Sequence, residues 1–297
     1  MRPCYLTLRR ARSVLLPDPA TTFMYLDPKW RILTIGDGDL SFSRALLTYH
    51  RPRLLEASIY DSEATLLSKY PENELEALRE SNIQVHTGLD ITDSGSVQSI
   101  EKKFDLVIFQ FPLIPSFATL DDFERQSVGA STNTLNRKLL RQFLIHSFRY
   151  LLDEAGPRLC YITSKEVKPY RDWNLETSLN RGLRIPCLGS MPFEYSEFPG
   201  YRIRNVNRDM VVPDTESRTF AWGINPPQKL SAKLETTACV GAAYCEICRV
   251  GPFVADEDRS KHLRSKRHRK MQAFEDQWTK YLESAVPLQE NCGRGGN

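Results

Sequence analysis

The stretch Gly36-Asp37-Gly38-Asp39-Leu40-Ser41-Phe42-Ser43, directly after the apolar run Ile32-Leu33-Thr34-Ile35, constrains the fold more than any other part of this sequence. A strand that ends in glycines and passes at once into a helical pattern exposes backbone N–H groups at a helix start. That is the geometry of ligand crevices in α/β folds. The dinucleotide variant is disfavoured on two grounds: its third Gly would stand at Ser41, and a pyrophosphate would be repelled by Asp37 and Asp39.

Periodicity from about residue 30 to 225 extends the pattern. Strands are expected at 31–35, 57–60, 83–87, 104–111 and 158–163, and helices at 41–49, 71–80, 94–100 and 133–152. A further helix is expected at 172–181, and an antiparallel edge hairpin from 187–193 and 218–224. Strictly alternating strands and helices imply an α/β, Rossmann-like sheet with helices on both faces and its crevice at the C-terminal strand ends. A ligand with positive charge and no phosphate suits the acidic turn, and S-adenosylmethionine, with its sulfonium and ammonium, is such a ligand. Its candidate contacts are Gly36, Asp37, Gly38, Asp39, Ser41 and Phe42. Asp61, after the second strand, is placed for ribose hydroxyls, and Asp90, after the third, for the adenine edge, although either could equally be a cap or turn former.

The phrases ILTIGDGDLSFSRAL, SIYDSEATLLSKYP, FDLVIFQFP, NRKLLRQF, KPYRDWN and FPGYRIR, in this order, resemble the eukaryotic ribosomal-RNA (uridine-N(3)) methyltransferase family. The resemblance implies a methyltransferase domain that uses S-adenosylmethionine and acts on large-subunit ribosomal RNA. It places Gln110, Phe111 and Pro112 where the methyl group meets the target base. Family members resemble Asn-Phe-Pro-His there, whereas this chain has Gln110-Phe111-Pro112-Leu113. Gln110 keeps an amide that donates and accepts, but Leu113 cannot replace an imidazole in hydrogen bonding or proton transfer. A second reading therefore stands beside the enzyme: an RNA-binding or ribosome-assembly factor that keeps the fold without catalysis. Phe111 reads either as a stacking platform for the base or as core packing, and His86 and His146 are candidate bases by residue type only. Lys165, Tyr170 and Trp173 are candidates for an RNA-facing rim, with Trp173 reading equally as a core anchor.

Near the C-terminus, Cys245-x2-Cys248-x13-His262-x5-His268 has the spacing of a tetrahedral zinc site in a small ββα finger, with Phe253 and Leu263 as its apolar pair. The seven cysteines are otherwise scattered, which argues for reduced thiols plus a metal pair. The finger resembles the matrin and spliceosomal type, which implies binding of structured RNA. From Cys245 to Met271 there are eight Lys or Arg against four acids, and Arg264, Lys266, Arg267, Arg269 and Lys270 are the expected phosphate contacts. Met271 to Ala285 should extend the helix and present Phe274, Trp278, Tyr281 and Leu282 to the larger domain.

The expected organisation is a basic leader over 1–28, the methyltransferase domain over 29–225, a linker over 226–240, the finger with its extended helix over 241–285 and a disordered tail over 286–297. No run approaches a membrane span, so no membrane partner is expected, and oligomeric state is open. The resemblance implies the nucleus and nucleolus. The first 17 residues, with Arg2, Arg9, Arg10 and Arg12 and no acid, are compatible with the mitochondrion as the alternative.

Overall fold

The computed structural model describes residues 23–285 except 116, 118, 205–214, 237–238 and 240. The expected leader up to residue 22 and the expected tail lie outside the described residues. The chain runs β1 (Arg31–Ile35), α1 (Ser41–Ala45, continued by a π-helical turn Leu46–His50), β2 (Leu54–Ser58), α2 (Glu63–Lys69), α3 (Leu75–Glu80) and β3 (Gln84–His86). Next come α4 (Ser94–Gln98), β4 (Leu106–Gln110), α5 (Leu120–Ser127), α6 (Thr132–His146, continued by a π-helical turn Ser147–Leu151) and β5 (Leu159–Lys165). A 3-10 turn (Tyr170–Trp173), α7 (Leu175–Ser178), β6 (Cys187–Pro192), β7 (Ser217–Gly223), α8 (Gln228–Ser231), α9 (Asp256–Leu263) and α10 (Lys266–Ser284) complete it.

The seven strands form one sheet in the order β3-β2-β1-β4-β5-β7-β6. The first five are parallel, and β7 runs antiparallel to both β5 and β6. The expected edge hairpin is therefore half an edge: β7 inserts beside β5 and leaves β6 outside. Strand order reverses between β1 and β4, paired through Ile35 and Phe109, so the crevice opens beyond Ile35 and Gln110.

Every residue of β4 is buried, because helices cover both faces. Period-two alternation sends Val107 and Phe109 to one side, against Leu140, Phe143 and Leu144 of α6. Leu106 and Ile108 go to the other, against Phe42, Leu46 and the segment Met24, Tyr25, Leu26 and Trp30. The domain thus begins before residue 29: Met24 is fully buried and the Tyr161 hydroxyl donates to the Tyr25 carbonyl. The expected linker also packs on the domain. Leu230 is buried and Glu235 pairs with Ser190 of β6. Helices α2 and α5 were not expected. Ser62 and Thr119 cap them by accepting from Thr65 N and Asp122 N. The helix expected over 172–181 is only a 3-10 turn and the short α7.

The C-terminal helix α10 docks on α6 through buried Glu275 and Trp278, while its buried Met271 packs against the finger cysteines. Trp278 is fully enclosed and its indole N–H donates to the Ser178 carbonyl at 3.0 Å. Glu275 meets Arg137 at 2.7 Å, an ionic contact outside hydrogen-bond angles, and Arg181 at 2.9 Å. Gln277 accepts from Ser131 N and lies near the Thr134 hydroxyl. Of the expected stripe, Trp278 is the anchor, while Phe274 sits with the finger core and Tyr281 remains half-buried.

Candidate active site and metal cluster

The glycine turn is shaped by close approach. Gly36 has φ +61°, and a Cβ there would stand 2.8 Å from the Phe109 ring. Beyond it, Asp37 turns inward and accepts from the Ser43 N–H at 2.7 Å and the Ser43 hydroxyl at 2.5 Å, bracing the first turn of α1. Burial pushes the Asp37 carboxyl up to about 7, against the Ser43 hydrogen bonds and with the negative Asp39 adding to the rise. Asp39 is enclosed as well: one oxygen accepts from Ser41 N, the other from Arg202 Nε at 3.0 Å and Arg204 Nε at 2.7 Å.

This corrects the electrostatic reading of the turn. The Asp39 charge is met by two guanidiniums and Asp37 is drawn toward neutrality, so the pair does not present two open carboxylates to a cation. Ser41, where a third Gly was sought, fastens the same strap: its hydroxyl accepts from Arg202 N at 3.0 Å. Ser41 does not line the crevice, nor does Phe42, which is fully buried against Phe198 and Tyr201.

The crevice itself is a cavity of about 690 Å³. Gly36, Asp37, Gly38 and Asp39 line it at β1, Asp61 at β2, Asp90 after β3, and Gln110, Phe111, Pro112 and Leu113 at β4. Asp61 pairs with Lys69 at 3.1 Å and Asp90 accepts from the Thr92 N–H and hydroxyl. Both keep a place on the cavity wall while serving their own loops. Gln110 differs: it is 8% exposed, and neither its amide nitrogen nor its oxygen has a partner. Next to it Phe111 adopts φ +45°, strained for a residue with a Cβ, and its N–H donates to the Thr163 carbonyl. Its ring lies parallel to Tyr195 and edge-on to Phe193, so Phe111 is both cavity wall and aromatic packing.

No histidine lines the cavity. His86 pairs with Glu56 at 2.7 Å, and buried His146 meets through Nδ1, at 2.7 Å, the carbonyl of Ile91, a residue of the cavity wall, without lining the cavity itself. Lys165 and Tyr170 border a separate hollow and Trp173 is core, so none of the three lines the cavity. The opposite wall comes from α6, through Leu135, Lys138, Leu139 and Gln142, and from Tyr281 of α10. The i, i+3, i+4, i+7 spacing on α6 was a legible signal for that wall. Tyr281 was expected to face the larger domain, but nothing in the sequence pointed it at the cleft.

Cys245, Cys248, His262 and His268 place one ligand atom each within 4.8 Å of one another. His268 Nδ1 stands 3.4 Å from Cys245 Sγ and 3.6 Å from Cys248 Sγ. A tetrahedron with Zn–S of about 2.3 Å and Zn–N of about 2.0 Å has a nitrogen–sulfur edge of roughly 3.6 Å. His262 Nε2 is buried without a partner. Burial and the neighbouring Cys245 push the Cys248 thiol up to about 12, so a cation is what would hold it as thiolate at neutral pH. These residues fit zinc.

The surrounding module departs from a plain ββα finger. The two cysteines sit on a turn closed by a Cys245–Val250 bridge, and the helix breaks at Arg264-Ser265, leaving His262 at the end of α9 and His268 at the start of α10. Leu263 is exposed; Ile247, Val250, Phe253 and Phe274 pack around the cysteines and Met271 instead. Arg264, Lys266, Arg267, Arg269 and Lys270 are all exposed.

The sheet order, the glycine turn at the β1/β4 reversal and the acids at the strand ends define an S-adenosylmethionine-dependent methyltransferase fold. Residues 33–205 match the model of the BMT5-like family, described as rRNA (uridine-N3-)-methyltransferase BTM5-like, and the chain belongs to that family. Heavy metal-associated isoprenylated plant protein 41 of Arabidopsis thaliana is 28% identical over 175 residues, covering 58% of this chain and 32% of that protein. The chain thus spans about a third of the length of that curated relative. Among solved structures, TrmN from Thermus thermophilus is similar over 66% of this chain and 44% of that one, with TM-score 0.38 and 13% identity. The Methanococcus jannaschii fibrillarin pre-rRNA processing protein is similar over 71% and 77%, with TM-score 0.40 and 10% identity. Among the described residues no helix is long and apolar enough to cross a membrane.

Proposed function

We propose that this chain methylates N3 of a uridine in large-subunit ribosomal RNA, with S-adenosylmethionine as donor and the finger holding structured RNA. One observation carries the reading: the Gln110 amide, buried with neither atom partnered, belongs to the wall of the cavity that Phe111 and Pro112 also line. An orphaned buried amide costs about 1–3 kcal/mol, and a planar ligand with its own donor and acceptor would recover it. The uracil edge is such a ligand. The Gln110 nitrogen would donate to a uracil carbonyl next to N3, fixing the ring and favouring the negative charge that this carbonyl shares once the N3 proton passes to water.

When bound, S-adenosylmethionine would supply an electrophilic methyl group on sulfur. Asp61 and Asp90 would hold its ribose and adenine ends, and the Gly36–Gly38 turn lines the same cavity. Gln110 is neutral and is no base, so its part is orientation. The zinc would be held by Cys245, Cys248, His262 and His268 and would supply structure, not chemistry, because four protein ligands close the site.

The noncatalytic reading draws on Leu113 and on a cleft without an imidazole. Isothermal titration with S-adenosylmethionine, followed by mass spectrometry of ribosomal RNA nucleosides from cells with and without the chain, separates the two. The enzyme reading expects donor binding and a 3-methyluridine signal that depends on the chain. A signal of equal size without the chain overturns it.

A further inference from the structure

Helix α10 joins the finger to the cleft: His268 of the metal cluster lies in its first turn and Tyr281, eleven residues beyond Lys270, lines the cavity. Lys270, Phe274, Gln277 and Tyr281 follow i, i+4, i+7, i+11 and share one flank of the helix. Two cation–aromatic pairs occupy that flank. Lys270 Nζ sits 5.5 Å from the Phe274 ring centre, and Lys138 Nζ of α6 sits 5.1 Å from that of Tyr281. Exposed Arg267 lies close to the same side. The acids of the helix are elsewhere: Asp276 and Glu283 project, at about 100° per residue, to the far side, and Glu275 is buried with Arg137 and Arg181.

We propose that this flank is a track for a single RNA strand running from the finger to the cleft, with Lys270 and Lys138 as phosphate contacts and the ring face of Tyr281 turned away from Trp278 as the base-stacking face. Basic and aromatic residues in alternation suit a strand whose every base has a π-face, and the far end opens into the cavity assigned above to the target base. From Lys270 to Tyr281 the helix rises about 16 Å, enough for about five stacked nucleotides at roughly 3.4 Å each. The inference rests on the RNA-methyltransferase reading and specifies its substrate: a structured stem held by the finger, followed by an unpaired segment that delivers the uridine.

The test is fluorescence anisotropy on the full zinc-loaded chain, with an RNA hairpin, the same hairpin with an oligouridine extension, and polyglutamate as competitor. The extension should tighten binding roughly tenfold, the worth of about one stacked base. Tyr281→Ala and Lys138→Gln should remove that advantage while hairpin-alone affinity is kept, and Tyr281→Phe should restore it. No gain from the extension, equal loss on both RNAs, or displacement by polyglutamate as effective as by RNA would overturn the track. S-adenosylmethionine titration on the same variants keeps the two proposals apart: donor binding without the strand advantage sinks the track alone, and the strand advantage without donor binding sinks the catalytic reading alone.

Discussion

Arg204 Nε lies 2.7 Å from Asp39 Oδ2, across 165 residues of sequence, and with Arg202 it straps the segment after β6 over the glycine turn. Asp39→Ala would leave two guanidiniums facing each other over a closed turn. The expected cost is about 2–3 kcal/mol, below the range for a fully buried pair because Arg202 keeps some solvent. Urea unfolding measures it, and donor affinity should fall in parallel. An unchanged unfolding midpoint would show that the strap contributes nothing.

Gln110→Leu should separate stability from activity. It removes an amide that has no partner and keeps the volume, so the folded state should gain about 1 kcal/mol. Methyl transfer should drop by about two orders of magnitude if that amide holds the base edge. A variant both less stable and fully active would contradict the assignment. Unfolding curves and single-turnover methylation of ribosomal RNA read the two effects.

His262→Ala removes one ligand of the cluster and should release zinc, detectable by metal analysis of the purified protein. Hairpin affinity should fall about tenfold or more as the basic turn around Arg264 and Lys266 loses its frame. The sheet should persist, because Trp278 remains enclosed against Ser178 independently of the metal.

Asp37 gives a pH signature. Its folded carboxyl stands at about 7, above the ordinary 3.8, so the folded state binds the extra proton between those values. The stabilisation is full below about pH 4 and is lost as pH rises through 7; its ceiling is about 4 kcal/mol. Asp37→Asn, which keeps an acceptor for Ser43, should flatten stability over that window in thermal unfolding across pH. An identical pH slope would assign the titration to another group.

What was legible beforehand is what local chemistry dictates. The turn after Ile35 announces itself because only glycine tolerates Gly36's φ so close to Phe109, and Cys245-x2-Cys248 with the two histidines is a spacing that few other sites need. The parallel half of the sheet follows from alternating periods. Helix α2 escaped notice because its cap, Ser62, is a weak local signal and only Leu66 is buried along it. Leu263 was assigned to the finger core on spacing, but the helix break at Ser265 lets Met271 and Phe274 fill that place.

The amino-acid order by itself determined the strand–turn–helix start and made the Cys245, Cys248, His262 and His268 cluster and the acids at Asp61 and Asp90 legible, since each belongs to a short spacing pattern along the chain. Only the tertiary structure decided that Asp39 is answered by Arg202 and Arg204, that Phe42 is core, that the Gln110 amide stands alone, and that Tyr281 reaches the cleft. Those depend on which distant side chains share a desolvated space. Burial and charge pairing there are properties of the packed chain that no periodicity along it records.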